Sequence, residues 1–249
     1  MKTLKESILS RSSHGAKGFE VQRREMIIEW LKEYNIENYY INKDSTIDVN
    51  GDVNLVRKNL TMLPDYIQFG VVDGRFDCSV NKLTSLRGCP REVGKDFICN
   101  YNDLDSLEGS PKEVKDSFYC YNNQLTSLEG APKRVRGIFN YRNNRLISLK
   151  GANDITAEDY YFDYNKLTSL EGAPEEVGGD FYCSGNNLRD LKGAPKKMKC
   201  VFDCSENDLT SLEGAPKEVW GAFRCSDNKV QFTEDDVKKA CEVKGEIIV

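Results

Sequence analysis

Apolar and polar positions recur along this chain with one fixed spacing. Phe76, Phe97, Phe118, Phe139, Tyr160, Phe181, Phe202 and Phe223 stand 21 residues apart without an insertion. Five positions after each comes an asparagine: Asn81, Asn102, Asn123, Asn144, Asn165, Asn186, Asn207 and Asn228. Two positions further on stand Leu83, Leu104, Leu125, Leu146, Leu167, Leu188, Leu209 and Val230. The unit reads V-x-x-x-F-x-C-x-x-N-x-L-x-x-L-x-G-x-P, a period that belongs to stacked-repeat architectures. Strand side chains alternate between faces, so F-x-C puts two apolar groups on one side of an extended segment and predicts one short strand per repeat. Glycine permits positive φ and proline fixes φ near −65°, so pairs such as Gly130 and Pro132 turn the chain back. One turn cannot bury its own Phe, Cys and two Leu, so the turns must stack with parallel strands. Eight strands at about 4.8 Å make a row about 34 Å long.

The ends of such a coil need covers, because unpaired strands and apolar faces template aggregation. The pattern divides the chain into a flexible or docking tail over residues 1–18, a helix and capping strand over 19–46, a solenoid over 47–230 and a short cap over 231–249. In FEVQRREMIIEWLKEYNI, Met26, Ile27, Trp30, Leu31 and Tyr34 share helical spacing and predict an amphipathic helix of about four turns. YYINKDSTIDVNGDVNL reads as a hairpin turning at Asn50 and Gly51, and LTMLPDYIQF as a degenerate first repeat. Near the end Thr233 is placed to cap TEDDVKKACEV, where Val237, Ala240 and Cys241 share a face, and EIIV reads as a final short strand. One repeat departs from the phrase: LKGANDITAEDYYFDYN has Asn153 for Pro, Thr156 for Val, and Tyr160 and Phe162 for Phe and Cys. Tyr141 replaces Cys in the preceding turn. Two larger residues thus stack as neighbours, which reads as a packing compensation, with a functional departure as the alternative.

The phrase F-x-C-x-x-N-x-L-T-S-L-E-G-A-P resembles the leucine-rich-repeat core L-x-L-x-x-N-x-L, in the short form that ends in L-T-x-L-P in secreted bacterial effectors. It is still more similar to repeat proteins of that type encoded by bacteriophages and some bacteria. The resemblance covers about residues 47 to 230 through eight registers. It departs from the family in an extra residue between Val and Phe and in Cys at the usual aliphatic position. It implies a right-handed α/β solenoid of leucine-rich-repeat type with an N-terminal helical cap. The partner it implies is a host protein, for instance a defence effector that the protein inhibits.

Composition narrows the function classes. The 249 residues are 30% charged and 39% hydrophobic, ordinary usage for a soluble domain. No apolar run reaches the roughly 18 residues of a membrane span, and MKTLKESILSRSSHGAKG lacks a secretory apolar stretch, so a reducing cytoplasm is expected. A net charge of −5 argues against general nucleic-acid binding. Cys78, Cys99 and Cys120 share one repeat position with Cys183, Cys204 and Cys225. Facing inward, they read as buried free thiols, and the absence of C-x-x-C removes the usual zinc pattern. The single histidine, His14, lies in the tail, which leaves Ser-His or Cys-His catalysis without a base. No catalytic residue, metal site or cofactor is therefore expected. The asparagine row reads as structural, each amide satisfying backbone groups where a strand ends.

What the repeat leaves free is the outer side of the strands. It carries Ile98, Tyr101, Tyr119, Tyr121, Arg142, Tyr161, Tyr164 and Tyr182 in central turns. Tyrosine and arginine are enriched in binding hot spots because they give large, stiff contact area with a polar end; the bland alternative is that tyrosine suits strands. The same columns hold Asp77, Asp96, Asp159, Asp163, Asp180, Asp203, Glu206 and Asp227 against Arg75, Arg142 and Arg224, five net negative charges from eight acids and three arginines. This predicts a non-catalytic scaffold that binds a basic surface of another protein, with no direct contact to nucleic acid or membrane. The alternatives are a carbohydrate-binding or virion-associated recognition module and a purely structural spacer.

Overall fold

The structure is a computed structural model, which describes residues 15 to 249. The chain winds into a parallel-strand β-solenoid of about ten turns. The phenylalanine segments pair in register, Phe76 beside Phe97 and Phe97 beside Phe118, and on to Phe223 beside Ile247. They form a sheet of ten strands running from Val53–Asn54 to Ile247–Ile248. Inside the coil the phenylalanine rings stack turn upon turn, with centroids 5.6 Å apart between Phe76 and Phe97 and 5.4 Å between Phe97 and Phe118. The leucine pairs, such as Leu104 with Leu107, are buried with them.

One expectation is corrected: every repeat but the divergent one carries two short strands, where the sequence predicted one. The valine segments form a second row, Glu92–Val93 beside Glu113–Val114 and Glu113–Val114 beside Arg134–Val135. With no insertion anywhere, the valine segment returns to the same height each turn. Its backbone groups then find their partners in neighbouring turns, as buried backbone groups must. The α/β assignment also gives way, because among the described residues the α-helices lie at the two ends and the repeats are built of strands and turns, with a single 3-10 turn.

The valine row is broken once, at the divergent repeat. A 3-10 turn at Ala152–Asp154 replaces the usual corner, and Thr156 makes a single bridge to Arg134. This divides the row into a six-stranded and a four-stranded sheet. Tyr160 supports the irregular segment: its hydroxyl donates to the Ile155 carbonyl at 2.7 Å and accepts the Ala157 N–H at 3.0 Å. The packing compensation predicted for this repeat is present, and Tyr141 and Phe162 fill the interior. Tyr141 does so imperfectly, because its buried hydroxyl has no hydrogen-bond partner.

Helix α1, Gly15–Glu33, covers the first turns with Ile27, Trp30 and Leu31, and the Trp30 ring lies 6.2 Å from Phe69. It begins four residues earlier than residue 19. The remainder of the tail, residues 1–14 with His14, lies outside the described residues. The predicted hairpin exists, but its turn is misplaced. Tyr39–Ile41 pairs antiparallel with Ile47–Val49 around a turn at 42–46, closed by Asn42 N–H to Thr46 O at 2.8 Å. Asn50 and Gly51 instead form the corner that carries the chain from the valine row to the phenylalanine row. At the other end helix α2, Glu234–Ala240, begins with a capping box in which Thr233 and Asp236 exchange hydrogen bonds. Val237 and Cys241 are buried, whereas Ala240 is exposed. Both rows then continue through one more turn, Val219 beside Val243 and Phe223 beside Ile247.

Candidate functional site

The outer side of the phenylalanine row is positioned by two sets of hydrogen bonds and one recurring backbone conformation. The asparagine row is the first, and its structural reading holds. Asn123 donates Nδ2 to the Cys120 carbonyl at 3.1 Å and to the Cys99 carbonyl of the preceding turn at 3.1 Å, while its Oδ1 accepts the Leu104 N–H at 3.0 Å. Asn102, Asn144, Asn165 and Asn186 repeat these contacts in neighbouring turns. The amide thus pairs backbone groups that the bend takes out of the ladder.

The second set uses the acids of this face. Asp159 accepts the Asp180 N–H at 2.7 Å, Asp180 the Val201 N–H at 2.8 Å and Asp96 the Ser117 N–H at 3.2 Å. Asp77 and Asp203 accept the N–H two residues on, from Ser79 and Ser205. Asp163 accepts the N–H and hydroxyl of Ser184. Six of the eight acids counted on this face therefore serve the backbone. Asp163 is buried, and burial pushes its carboxyl up to about 6.

The third feature is the residue before each asparagine, which adopts the left-handed conformation in every repeat. Its φ is 56° at Val80, 54° at Tyr101, 55° at Asn122, 52° at Asn143, 52° at Tyr164, 63° at Gly185, 52° at Glu206 and 54° at Asp227. Asparagine and glycine suit this region, whereas tyrosine and valine are costly there, by about 1 kcal/mol or more. The asparagines and glycine in this column were the sequence signal of that conformation. The bend at Tyr101 and Tyr164 turns their side chains outward, and both are exposed.

The eight predicted residues lie on this one outer face in two groups. In the first, Tyr101 and Tyr121 meet edge to face with centroids 5.4 Å apart, and Ile98 and Tyr119 stand side by side in the adjoining column. In the second, Tyr161 and Tyr182 stack with centroids 4.8 Å apart and planes within 15°. Beside them Arg142 lies over the Tyr164 ring at 4.9 Å, and the Tyr164 hydroxyl donates to Glu206 two turns away at 3.2 Å. Asn140 separates Tyr119 from Tyr161 in the column. Tyr101, Tyr164 and Arg142 are exposed, and Tyr119, Tyr121, Tyr161 and Tyr182 are half-buried; the Tyr121, Tyr161 and Tyr182 rings each pack on a ring of a neighbouring turn. Burial, reinforced by Asp159 and Asp180, pushes the Tyr161 hydroxyl up to about 12.

Inside the coil, Cys78, Cys99, Cys120, Cys183, Cys204 and Cys225 are buried free thiols, as the repeat position implied. The Cys183 and Cys204 thiols donate to carbonyls of the next turn, Asp203 O at 3.2 Å and Arg224 O at 3.3 Å, and burial holds both well above the ordinary thiol range. Cys200 alone is exposed. Among the described residues no group of three or more His, Cys, Asp or Glu side chains is placed to hold a metal ion, and no helix is long and apolar enough to cross a membrane. The repeat pattern gave no sign of three exposed aromatics, Phe19 on α1, Tyr40 in the first hairpin and Trp220, which follows the buried Val219 and stands 62% exposed beside the valine row. No protein-family model, curated protein or solved structure matches the chain.

Proposed function

We propose that this protein is a non-catalytic repeat scaffold that binds another protein through the tyrosine-bearing outer face of its phenylalanine row. The observation that carries the reading is the conformation of Tyr101 and Tyr164. The stacked core dictates the bend, but asparagine or glycine would satisfy it at lower cost, as they do at Asn122, Asn143 and Gly185. Two strained tyrosines, each in contact with a second side chain of the same face, are the pattern of a surface retained for recognition. Within this proposal stand the leucine-rich-repeat likeness, a bacteriophage-encoded inhibitor of a host defence protein as the role, the host cytoplasm as the place and a basic protein surface as the partner.

Affinity capture with the full chain, followed by titration of the recovered protein, tests the reading. Tyr101→Ala and Tyr164→Ala should each weaken binding by about thirtyfold, the effect of losing about 2 kcal/mol at a hot spot. Unchanged affinity for both folded variants moves the binding surface elsewhere. The stacked Tyr161 and Tyr182 rings bordered by carboxylates also suit a sugar ring; retention on a glycan array, lost in Tyr161→Ala, favours that alternative.

A further inference from the structure

The Tyr161–Tyr182 pair differs from the other aromatic contacts of this face in what surrounds it. The rings lie nearly parallel, and Asp159 and Asp180 stand at the corner of the same two turns. Among the described residues neither carboxylate has a basic partner, whereas Asp203 is met by Arg224 at 3.8 Å and Asp96 by Arg75 at 3.4 Å. The fold needs an acceptor at these corners and not a charge. Ser117 Oγ does the same work in another turn, accepting the Ile138 N–H at 3.1 Å. The charge on Asp159 and Asp180 is thus surplus to the backbone. The same face shows how such charge and π surface are used, because Arg142 sits on Tyr164 while no cation of the described chain sits on Tyr161 or Tyr182.

We propose that this pair, with Asp159 and Asp180, receives a cationic side chain of the partner, an arginine or a lysine laid against the tyrosine rings. A guanidinium or ammonium is attracted by the ring quadrupole and by the two carboxylates together. Burial first, and then Asp159 and Asp180, raise the Tyr161 hydroxyl. The proposal rests on the protein-binding reading of this face and names the chemistry that its partner must present.

The test uses the full chain with labelled tyrosine rings and two small probes in NMR titrations: N-acetyl-arginine methylamide and its neutral counterpart N-acetyl-citrulline methylamide. The arginine probe should shift the Tyr161 and Tyr182 ring signals saturably, and citrulline should bind about tenfold more weakly. Asp159→Asn with Asp180→Asn keeps both backbone acceptors and should weaken arginine binding severalfold without lowering the melting temperature. Equal response to the two probes, indifference to the double Asn variant, or shifts confined to Tyr101 and Tyr121 overturns the proposal. These outcomes are separable from the wider reading. If Tyr101→Ala and Tyr164→Ala abolish capture of a protein partner while the arginine probe is not discriminated, the face stands and the cation site falls. A discriminated arginine probe with partner capture unaffected by those variants gives the reverse.

Discussion

Replacing Asn123 by alanine measures what the asparagine row contributes. The Leu104 N–H is buried, and its hydrogen bond to Asn123 Oδ1 at 3.0 Å has no substitute nearby once the amide is gone. Leaving one buried donor unpaired costs about 1–3 kcal/mol. The carbonyls of Cys99 and Cys120 fare better, because Asn102 and Asn144 still donate to them at 3.0 Å each. Losing one of two donors at each adds about 0.5–1 kcal/mol. The total is about 2–5 kcal/mol, which for a chain of this size lowers the melting temperature by about 4–20 °C. Urea and thermal denaturation followed by circular dichroism give the stability, and hydrogen exchange of the Leu104 amide locates the damage. Thr126→Ala, at an exposed position of the same turn, serves as a control and should change stability by less than about 0.5 kcal/mol. Asn123→Asp keeps the acceptor for Leu104 but aims a carboxylate at two carbonyls, so it should be no milder than alanine at neutral pH. A loss below about 1 kcal/mol in Asn123→Ala, with Leu104 still protected, would refute the claim that these amides hold the bends.

Other expectations follow from single side chains. Asp163 has a carboxyl raised in the folded state from 3.8 to about 6, so its contribution to stability is full below about pH 4 and is lost as pH rises through 6. Asp163→Asn keeps an acceptor for Ser184 and should remove this dependence, gaining at most about 3 kcal/mol at pH 7.5 relative to pH 4; an unchanged slope in urea titrations at the two pH values counts against it. Tyr141→Phe removes a buried hydroxyl without a partner and should raise stability by about 1–2 kcal/mol; a lower melting temperature would show that the hydroxyl is satisfied in solution. With all nine cysteines free and only Cys200 exposed, native protein should react with about one equivalent of a thiol reagent and denatured protein with nine. A Cys200→Ser variant that still reacts rapidly when native would contradict the burial of the others.

The sequence by itself determined the repeat. A strict spacing of Phe, Cys, Asn and Leu has one economical arrangement, because side chains that no single turn can bury must find each other in the next turn. Hence the phenylalanine row, the buried thiols, the role of Asn102 or Asn144 and the presence of end caps were legible from residue types alone. The second row was not, because a lone valine followed by charged residues carries no strand signal; only the common height of every turn makes Val93 and Val114 neighbours. The hairpin turn went to 42–46 and not to Asn50 and Gly51 because the flanking segments, Ile47–Val49 and Val53–Asn54, belong to different rows. The face was legible as a set of residues but not as an arrangement. Outward position in a strand foretold where Tyr161 and Tyr182 emerge, and the asparagines and glycine before the Asn row marked the left-handed bends, whereas ring stacking and the burial of Asp163 depend on side chains 21 residues away. Local pattern fixes which way a side chain leaves the backbone, and the neighbouring turns decide what it meets.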